Sequence, residues 1–391
     1  MKQEGCLTRI LAVGKKGELV PVGASVEETF NIERQLLVKR HAALGVSAIR
    51  ELPHRLPWAF SYEYNDLTAA HQGRLEEGTL VGQDASGTNV VAFSQSSLDA
   101  AILHGVRIAR TTELASGHSL MLGGIQPCLR NERLDQIVEG WRESHFLQAN
   151  LEIAARTSGS LSEFSLQKTL LAATASFFEG TGIPQQCLRI RVNVPRIVST
   201  VLADLPDDER CEILDLVDDL SLQRSRGDRE AMADGFTHML AAFRRFEEPA
   251  TPRYQFVENF VRTGRYHPQL IRQVPGAWEL LGALTELVHH MKRAFPNATW
   301  IADALSMRRQ YDGIAWQIDI VHPTRTFSEV GGGGIYTSRA KEQWARDAGY
   351  SAPSNFVMGG FAIGLSRLQT VLNVISHPRP TTTERGAVAA G

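Results

Sequence analysis

The chain has 391 residues, of which 43% are hydrophobic and 21% are charged, with a formal net charge of −2 and a pI near 6.6. These values are typical of a soluble globular protein with ample core and give no general reason to expect nucleic-acid binding. The four cysteines are scattered and form no C-x-x-C pair, which indicates neither a disulfide framework nor a zinc site.

The N-terminus contains charged residues and no long apolar run, so it does not predict a signal peptide. No apolar stretch approaches the roughly 20 residues that a membrane-spanning helix needs. We therefore expect a cytoplasmic protein that makes no membrane contact.

The first hundred residues predict short strands and one helix. Ser25 is a suitable N-cap for a helix over 26–44. Alternating apolar residues and turn signals predict strands over 8–13, 18–22, 58–64 and 77–84.

The middle of the chain, 98–250, is predicted to be mainly helical. Apolar residues at three- and four-residue spacing support this over 98–154, and further helices are expected over 166–179 and 202–246. An alternating strand over 187–194 interrupts them. Acidic residues near Asp207 favour a helix start, since acids stabilise a helix N-terminus.

The last third mixes strands and helices, which argues for an α+β fold with an antiparallel sheet. A helix is predicted over 278–295 and another over 338–348, and the residues from 376 to 391 have the composition of a tail. Strands are predicted over 299–304, 313–321 and 326–330, and a glycine-rich strand enters a helix over 357–368.

Three segments of this last third could bind a nucleotide. They are 303–313, with hydroxyl and cationic side chains, 331–336, with four consecutive glycines, and 360–368, where Arg367 follows a glycine-rich strand. Glycines allow close backbone approach, and arginine can stack on a base or pair with a phosphate. A flexible hairpin loop for the glycines and a surface arginine on a helix are the ordinary alternatives.

The segment Gly360-Phe361-Ala362-Ile363-Gly364-Leu365-Ser366-Arg367-Leu368 resembles motif 3 of class II aminoacyl-tRNA synthetases. The resemblance is to histidyl-tRNA synthetase and to its paralogue, the regulatory subunit of ATP phosphoribosyltransferase. Gly333 to Tyr336 looks like the family's Gly-Gly-Arg-Tyr turn, with Ile335 in place of arginine. Residues 303–313 look like its histidine-recognition segment, with Tyr311 on a tyrosine position and Arg308 or Arg309 as the arginine.

Upstream, residues 60–84 look like motif 2, a hairpin that in this family supplies an arginine for the α-phosphate, a glutamate near adenine and a loop arginine. Glu63 and Arg74 match the last two, and Asp84 falls on a position that contacts the amino acid. The α-phosphate arginine is replaced by Ser61.

The resemblance implies an antiparallel sheet flanked by helices, with a helical insertion and no anticodon-binding domain. It divides the chain into residues 1–97 with the motif 2-like hairpin, the helical middle 98–250, residues 251–375 with motif 3, and the tail. It also implies ATP and Mg²⁺ as cofactors. The implied roles are catalytic for Arg308, Arg309 and Arg74, nucleotide-binding for Glu63, Arg74, Gly364 and Arg367, and substrate-binding for Asp84, Tyr311, Gly333, Gly334 and Tyr336.

Canonical tRNA is not an expected partner, because Ser61 replaces the arginine, and motif 1 and an anticodon-binding domain have no matching segment. Two functions are compatible with the pattern. One is an enzyme that activates an amino acid or related carboxylate as an adenylate. The other is an inactive regulatory paralogue that binds a small effector and controls a protein partner. A homodimer is a further possibility.

Overall fold

The computed structural model describes residues 9–13, 19–21, 58–62, 66–67, 80–83, 89–93, 119–129, 145–158, 162–226, 229–274, 276–306, 310–323, 325–336 and 355–376. The predicted helices over 26–44 and 338–348 and the tail from residue 377 onward lie outside these segments.

The strands of this part of the chain form two sheets. They are β1 (Arg9–Val13), β2 (Leu19–Pro21), β3 (Trp58–Tyr62), β4 (Asp66–Leu67), β5 (Leu80–Gln83), β6 (Asn89–Phe93), β7 (Ser119–Leu129), β8 (His145–Arg156), β9 (Leu188–Asn193), β10 (Thr299–Ala302), β11 (Tyr311–His322), β12 (Arg325–Tyr336) and β13 (Phe356–Gly364). The smaller sheet has the order β2-β1-β5-β6-β4, and the larger sheet has the order β10-β9-β11-β12-β13-β8-β7-β3.

The larger sheet confirms the α+β prediction. Its six middle strands, from β9 to β7 in the sheet order, run antiparallel to one another. The two edge strands, β10 and β3, run parallel to β9 and β7. Such parallel pairs require long connections, and the connection from β9 to β10 is helical.

Eight helices accompany the described strands. They are α1 (Glu163–Gly180), α2 (Arg196–Val201), α3 (Asp207–Arg226), α4 (Arg229–Phe243), α5 (Pro252–Thr263), α6 (Pro268–Ile271), α7 (Ala277–Ala294) and α8 (Leu365–Ser376). The Ser162 hydroxyl caps α1 by accepting from the Ser165 N–H at 3.2 Å. Three acidic residues open α3, as the charge pattern predicted.

The core lies between one face of the larger sheet and the helices. On β8 the alternate residues Leu147, Leu151 and Ile153 are almost completely buried in it. Phe361 of β13 meets Phe177 of α1 edge-on, with 6.0 Å between ring centroids. Since helices cover this face, the polar side chains of the same strands lie on the other one.

The prediction of a mainly helical region over 98–250 is wrong in its placement. Residues 119–129 and 145–156 are strands β7 and β8 of the larger sheet. The helical segment of the chain runs instead from α2 to α7, between β9 and β10, and it crosses the predicted boundary at residue 250. The sheet itself draws strands from all three predicted regions.

Candidate functional site

One face of the larger sheet is polar. On β8, Gln148, Asn150 and Glu152 alternate with the core residues and therefore lie on the opposite face. Strands β9 and β11 also place polar residues there, and strand pairing connects the two sides through β12 and β13. We call this surface the polar face, and it carries Gln148, Asn150, Glu152, Arg189, Arg191, Asn193, Gln317 and Asp319.

Glycines form the floor between the two polar sides. Gly332 and Gly334 of β12 and Gly360 of β13 are neighbours in strand register, and we call them the glycine floor. A Cβ atom at Gly360 would lie 2.0 Å from Oε2 of Glu152, and one at Gly334 would lie 2.4 Å from the ring of Tyr311. The glycine floor therefore allows Glu152 and the Tyr311 ring to pack directly on the backbone.

The glycine run is not a turn. Residues 331–334 lie inside β12, paired with β11 on one side and β13 on the other. Both the turn suggested by the resemblance and the alternative of a flexible hairpin loop are wrong for these residues. Close packing explains the composition, because a Cβ at Gly331 would lie 2.8 Å from Ile363.

Glu152 is the central buried acid of the polar face. Its side chain is fully buried, and the Tyr336 hydroxyl lies 3.1 Å from each carboxylate oxygen. Burial raises the pKa of Glu152 well above its ordinary value, and the hydrogen bond from Tyr336 lowers it in part. No cationic side chain among the described residues pairs with it. A ligand group that donates hydrogen bonds or carries positive charge would complete this site.

A second group of buried charges lies on the β9–β11 side. Asp319 accepts from Arg189 Nε at 3.0 Å and from Arg191 Nη2 at 3.0 Å. Arg191 also lies 3.7 Å from Asp303, which in turn accepts from Arg224 of α3 at 2.7 Å. These ion pairs connect the sheet to the helical segment.

Arg367 is held at the end of this network. Its Nη1 donates to the Glu329 carbonyl at 2.9 Å, and the Glu329 N–H donates to Asp319 Oδ1 at 3.0 Å. Glu329 has a φ of 51°, a conformation that costs a non-glycine residue energy. Asp319 therefore helps to fix the backbone that positions the Arg367 guanidinium.

The structure places five of the predicted site residues on the larger sheet or directly after it, in two separate groups. Tyr311 and Tyr336 pack with 5.3 Å between ring centroids, and Gly334 lies beneath the Tyr311 ring. Gly364 ends β13 two residues before Ser366, and Arg367 is in the first turn of α8. Gly333 is a correction: its Cβ direction meets Trp316 and Phe361, so it faces the core. Glu63, Arg74, Asp84, Arg308 and Arg309 lie outside the described residues.

The predicted motif 2 hairpin over 60–84 is wrong. β3 pairs with β7 in the larger sheet, whereas β5 pairs with β1 and β6 in the smaller one. The antiparallel hairpin beside β13 is β7–β8. In the sequence, Arg130, Glu132 and Arg133 directly follow β7 and are themselves outside the described residues.

Sequence reasoning missed Asn150, Glu152, Gln317 and Asp319. The available signal was the period of two in β8, where every second residue from 148 to 152 is polar. The missed pair Arg191–Asp319 had no sequence signal, because its members are 128 residues apart.

No protein-family model matches the sequence, and no curated protein matches it. Solved structures do resemble it. A histidine–tRNA ligase subunit from Alicyclobacillus acidocaldarius has a TM-score of 0.56 and 14% identity, covering 86% of this chain and 94% of that one. The fold is a class II synthetase-like core.

Two further structures share this core. An ATP phosphoribosyltransferase regulatory subunit/histidyl-tRNA synthetase from Bacillus halodurans has a TM-score of 0.56 and 13% identity, covering 88% of this chain and 80% of its own. The ATP phosphoribosyltransferase (HisG:HisZ) complex from Thermotoga maritima has a TM-score of 0.50 and 12% identity, with 84% and 97% covered. The class II synthetase-like core thus confirms the resemblance inferred from motif 3.

The described residues of this synthetase-like core do not form a magnesium site. No group of three metal-ligating side chains occurs among them. Asp319 is already paired with two arginines, and burial raises the pKa of Glu152. Magnesium remains a prediction, and no chemical step is assigned to it. Within the same residues, no helix is both long and apolar enough to cross a membrane.

Proposed function

We propose that this protein binds ATP and a small amino acid or related carboxylate and joins them as an acyl adenylate. The observation that carries this proposal is Glu152, a wholly buried acid that lies over Gly360 and has no cationic partner among the described residues. A buried ionisable group of this kind costs stability unless a ligand or partner compensates it. A substrate amine bound at Glu152 would supply that compensation.

The glycine floor supports the nucleotide half of the proposal. No side chain stands at Gly332, between Gln317 of β11 and Ala362 of β13, and none stands at Gly364 beside Arg367. A Cβ at Gly364 would have only Arg367 carbons near it, the closest at 3.7 Å. We assign Arg367 to the nucleotide, because a guanidinium can pair with phosphate or stack on a base.

The β7–β8 hairpin supports adenylate chemistry more than the original motif 2 assignment did. The segment after β7 contains an arginine, a glutamate and a second arginine in the order that the resemblance requires. Arg130 then takes the α-phosphate role for which Ser61 was unsuitable, Glu132 the adenine role and Arg133 the loop role. Arg308 or Arg309 remains a further candidate for the phosphates.

In the proposed reaction, a carboxylate oxygen of the substrate attacks the α-phosphorus of ATP, and pyrophosphate leaves with the electrons of the broken P–O bond. Negative charge develops on the phosphate oxygens, and fixed cationic groups lower the barrier to this step. The test is ATP–pyrophosphate exchange over the common amino acids and related carboxylates. Exchange should depend on one substrate and fall at least about a hundredfold in Arg130→Gln. No exchange with any substrate, together with no ATP binding, refutes the proposal.

A regulatory function is the second candidate. It is favoured by the similarity to a structure described as a HisG:HisZ complex and by Ile335, which is buried in the core where the resemblance expects arginine. In this case the polar face would bind an effector, and the protein would control a partner enzyme. Mixing the purified chain with an ATP phosphoribosyltransferase catalytic subunit should then give a stable complex with altered activity. Separate elution on size-exclusion chromatography, with unchanged activity, excludes this partner.

A further inference from the structure

A row of residues crosses the polar face beside Glu152. Strand register places Arg191, Gln317, Gly332, Ala362 and Asn150 side by side on β9, β11, β12, β13 and β8. Adjacent strands are about 4.8 Å apart, so the Cα atoms of Gln317 and Asn150 are separated by roughly 14 Å. Only a glycine and an alanine lie between them.

Both amides of this row are buried and carry polar atoms that have no protein hydrogen-bond partner. Asn150 is 2% exposed and Gln317 is 5% exposed. Oδ1 of Asn150 and both Nε2 and Oε1 of Gln317 have no hydrogen-bond partner in the described structure. Buried polar atoms in folded proteins are nearly always hydrogen-bonded, so a row with three unpaired ones points to a ligand that completes the hydrogen bonds.

Asn193, on the same polar face, shows what a structural amide looks like here. Its Nδ2 donates to the Ala304 carbonyl at 3.0 Å. Its Oδ1 accepts from the Val194 N–H at 2.7 Å and from the Tyr266 hydroxyl at 2.6 Å. Asn150 and Gln317 differ from Asn193, because Oδ1 of Asn150 and both Nε2 and Oε1 of Gln317 have no hydrogen-bond partner.

We infer that Asn150 and Gln317 are ligand-binding residues that hold an uncharged, hydroxyl-bearing part of the ligand over Gly332 and Ala362. The Asn150 oxygen needs a donor, and the Gln317 amide needs a group that both donates and accepts. A hydroxyl group meets both needs. An ionised phosphate or carboxylate can only accept hydrogen bonds, so it cannot satisfy Oδ1 of Asn150.

This inference rests on the proposed function, because it names the part of the nucleotide that the row recognises. In ATP the uncharged hydroxyl groups are those of the ribose. The ribose would therefore lie over Gly332 and Ala362, between the two amides. Asn150 and Gln317 would bind the ribose, and Arg367 would bind a phosphate or the base of the same nucleotide.

The test uses Asn150→Leu and Gln317→Met, which keep approximate side-chain size and remove the amide, with Asn193→Leu as the matched control. Thermal unfolding without ligand and calorimetric titration with ATP, 2′-deoxy-ATP and 3′-deoxy-ATP are measured for each protein. Wild type should bind at least one deoxy analogue about tenfold more weakly than ATP. The two row variants should lose most of this discrimination, and their ligand-free stability should be unchanged or higher. Asn193→Leu should lower stability, because it leaves the Ala304 carbonyl, the Val194 N–H and the Tyr266 hydroxyl without their hydrogen-bond partner.

Two results overturn the inference. One is unchanged discrimination between ATP and its deoxy analogues in both row variants. The other is a loss of ligand-free stability in Asn150→Leu and Gln317→Met equal to that of Asn193→Leu, which would make the amides structural. If wild type binds no ATP, the proposed function fails by itself. The row is then tested with adenosine, guanosine and uridine, and it is refuted if none stabilises wild type more than Gln317→Met.

Discussion

Replacing Gly360 by alanine should displace the Glu152 carboxyl group. The added Cβ would lie 2.0 Å from Oε2 and 2.2 Å from Cδ of Glu152, far inside any normal contact. Glu152 cannot move aside easily, because it is fully buried and hydrogen-bonded to Tyr336. The perturbation therefore acts on the acid at the centre of the site through the strand beside it.

The expected cost combines two effects. Overpacking a close-packed interior typically costs about 1–3 kcal/mol, and losing the Tyr336 hydrogen bond to a buried group costs about 1–3 kcal/mol more. We expect Gly360→Ala to lower the free energy of unfolding by roughly 3 kcal/mol. Gly364→Ala is the matched control on the same strand, because its nearest neighbours lie at 3.7–3.9 Å. Its effect should stay within about 0.5 kcal/mol.

Urea unfolding at neutral pH measures both variants, and a double-mutant cycle identifies the cause. In a Glu152→Ala background the clash is absent, so Gly360→Ala should cost less than about 1 kcal/mol there. An equal loss in the two backgrounds would show that the damage does not pass through the carboxyl group. A Gly364→Ala variant as unstable as Gly360→Ala would refute the packing explanation altogether.

Three further predictions concern the charged groups. The raised pKa of Glu152 means that the native state binds its proton more tightly, so stability should fall as pH rises above about 4.5. In urea unfolding between pH 4.5 and 8, Glu152→Gln should remove this fall in the free energy of unfolding with pH. The same fall in wild type and Glu152→Gln would contradict the prediction. Asp319→Asn should cost about 3 kcal/mol, because it breaks a buried pair, while the partly exposed Asp312→Asn should cost less than about 1 kcal/mol. Arg367→Gln should weaken ATP binding at least about tenfold in calorimetry. Arg272→Gln is the control and should leave ATP binding unchanged, because Arg272 stacks on Trp278 and is not assigned to the nucleotide.

The sequence predicted the elements whose signals are local. The strand and helix on either side of Gly364 were found because an apolar, glycine-rich run enters an amphipathic helix. β9 was found from its alternation. The resemblance to motif 3 was also contiguous in the sequence, and the fold confirms it.

The hairpin beside β13 was missed for a physical reason. In β8, Leu147, Leu151 and Ala154 have the three- and four-residue spacing of a helix, while the polar residues between them follow a strand period. A strand that buries both faces in this way gives an ambiguous pattern. The ion pairs of Asp319 could not be predicted either, because only the fold brings β9 and β11 together.

The four glycines of β12 have a consequence for folding. Trp316, Phe361 and Ile363 occupy the space that side chains of this strand would normally fill on the core face. A glycine strand has low intrinsic strand propensity and weak register information of its own. Its pairing must therefore be imposed by β11 and β13 once they are in place. We expect β12, at the centre of the polar face, to be among the last strands of the sheet to become ordered, after β11 and β13 on its two sides.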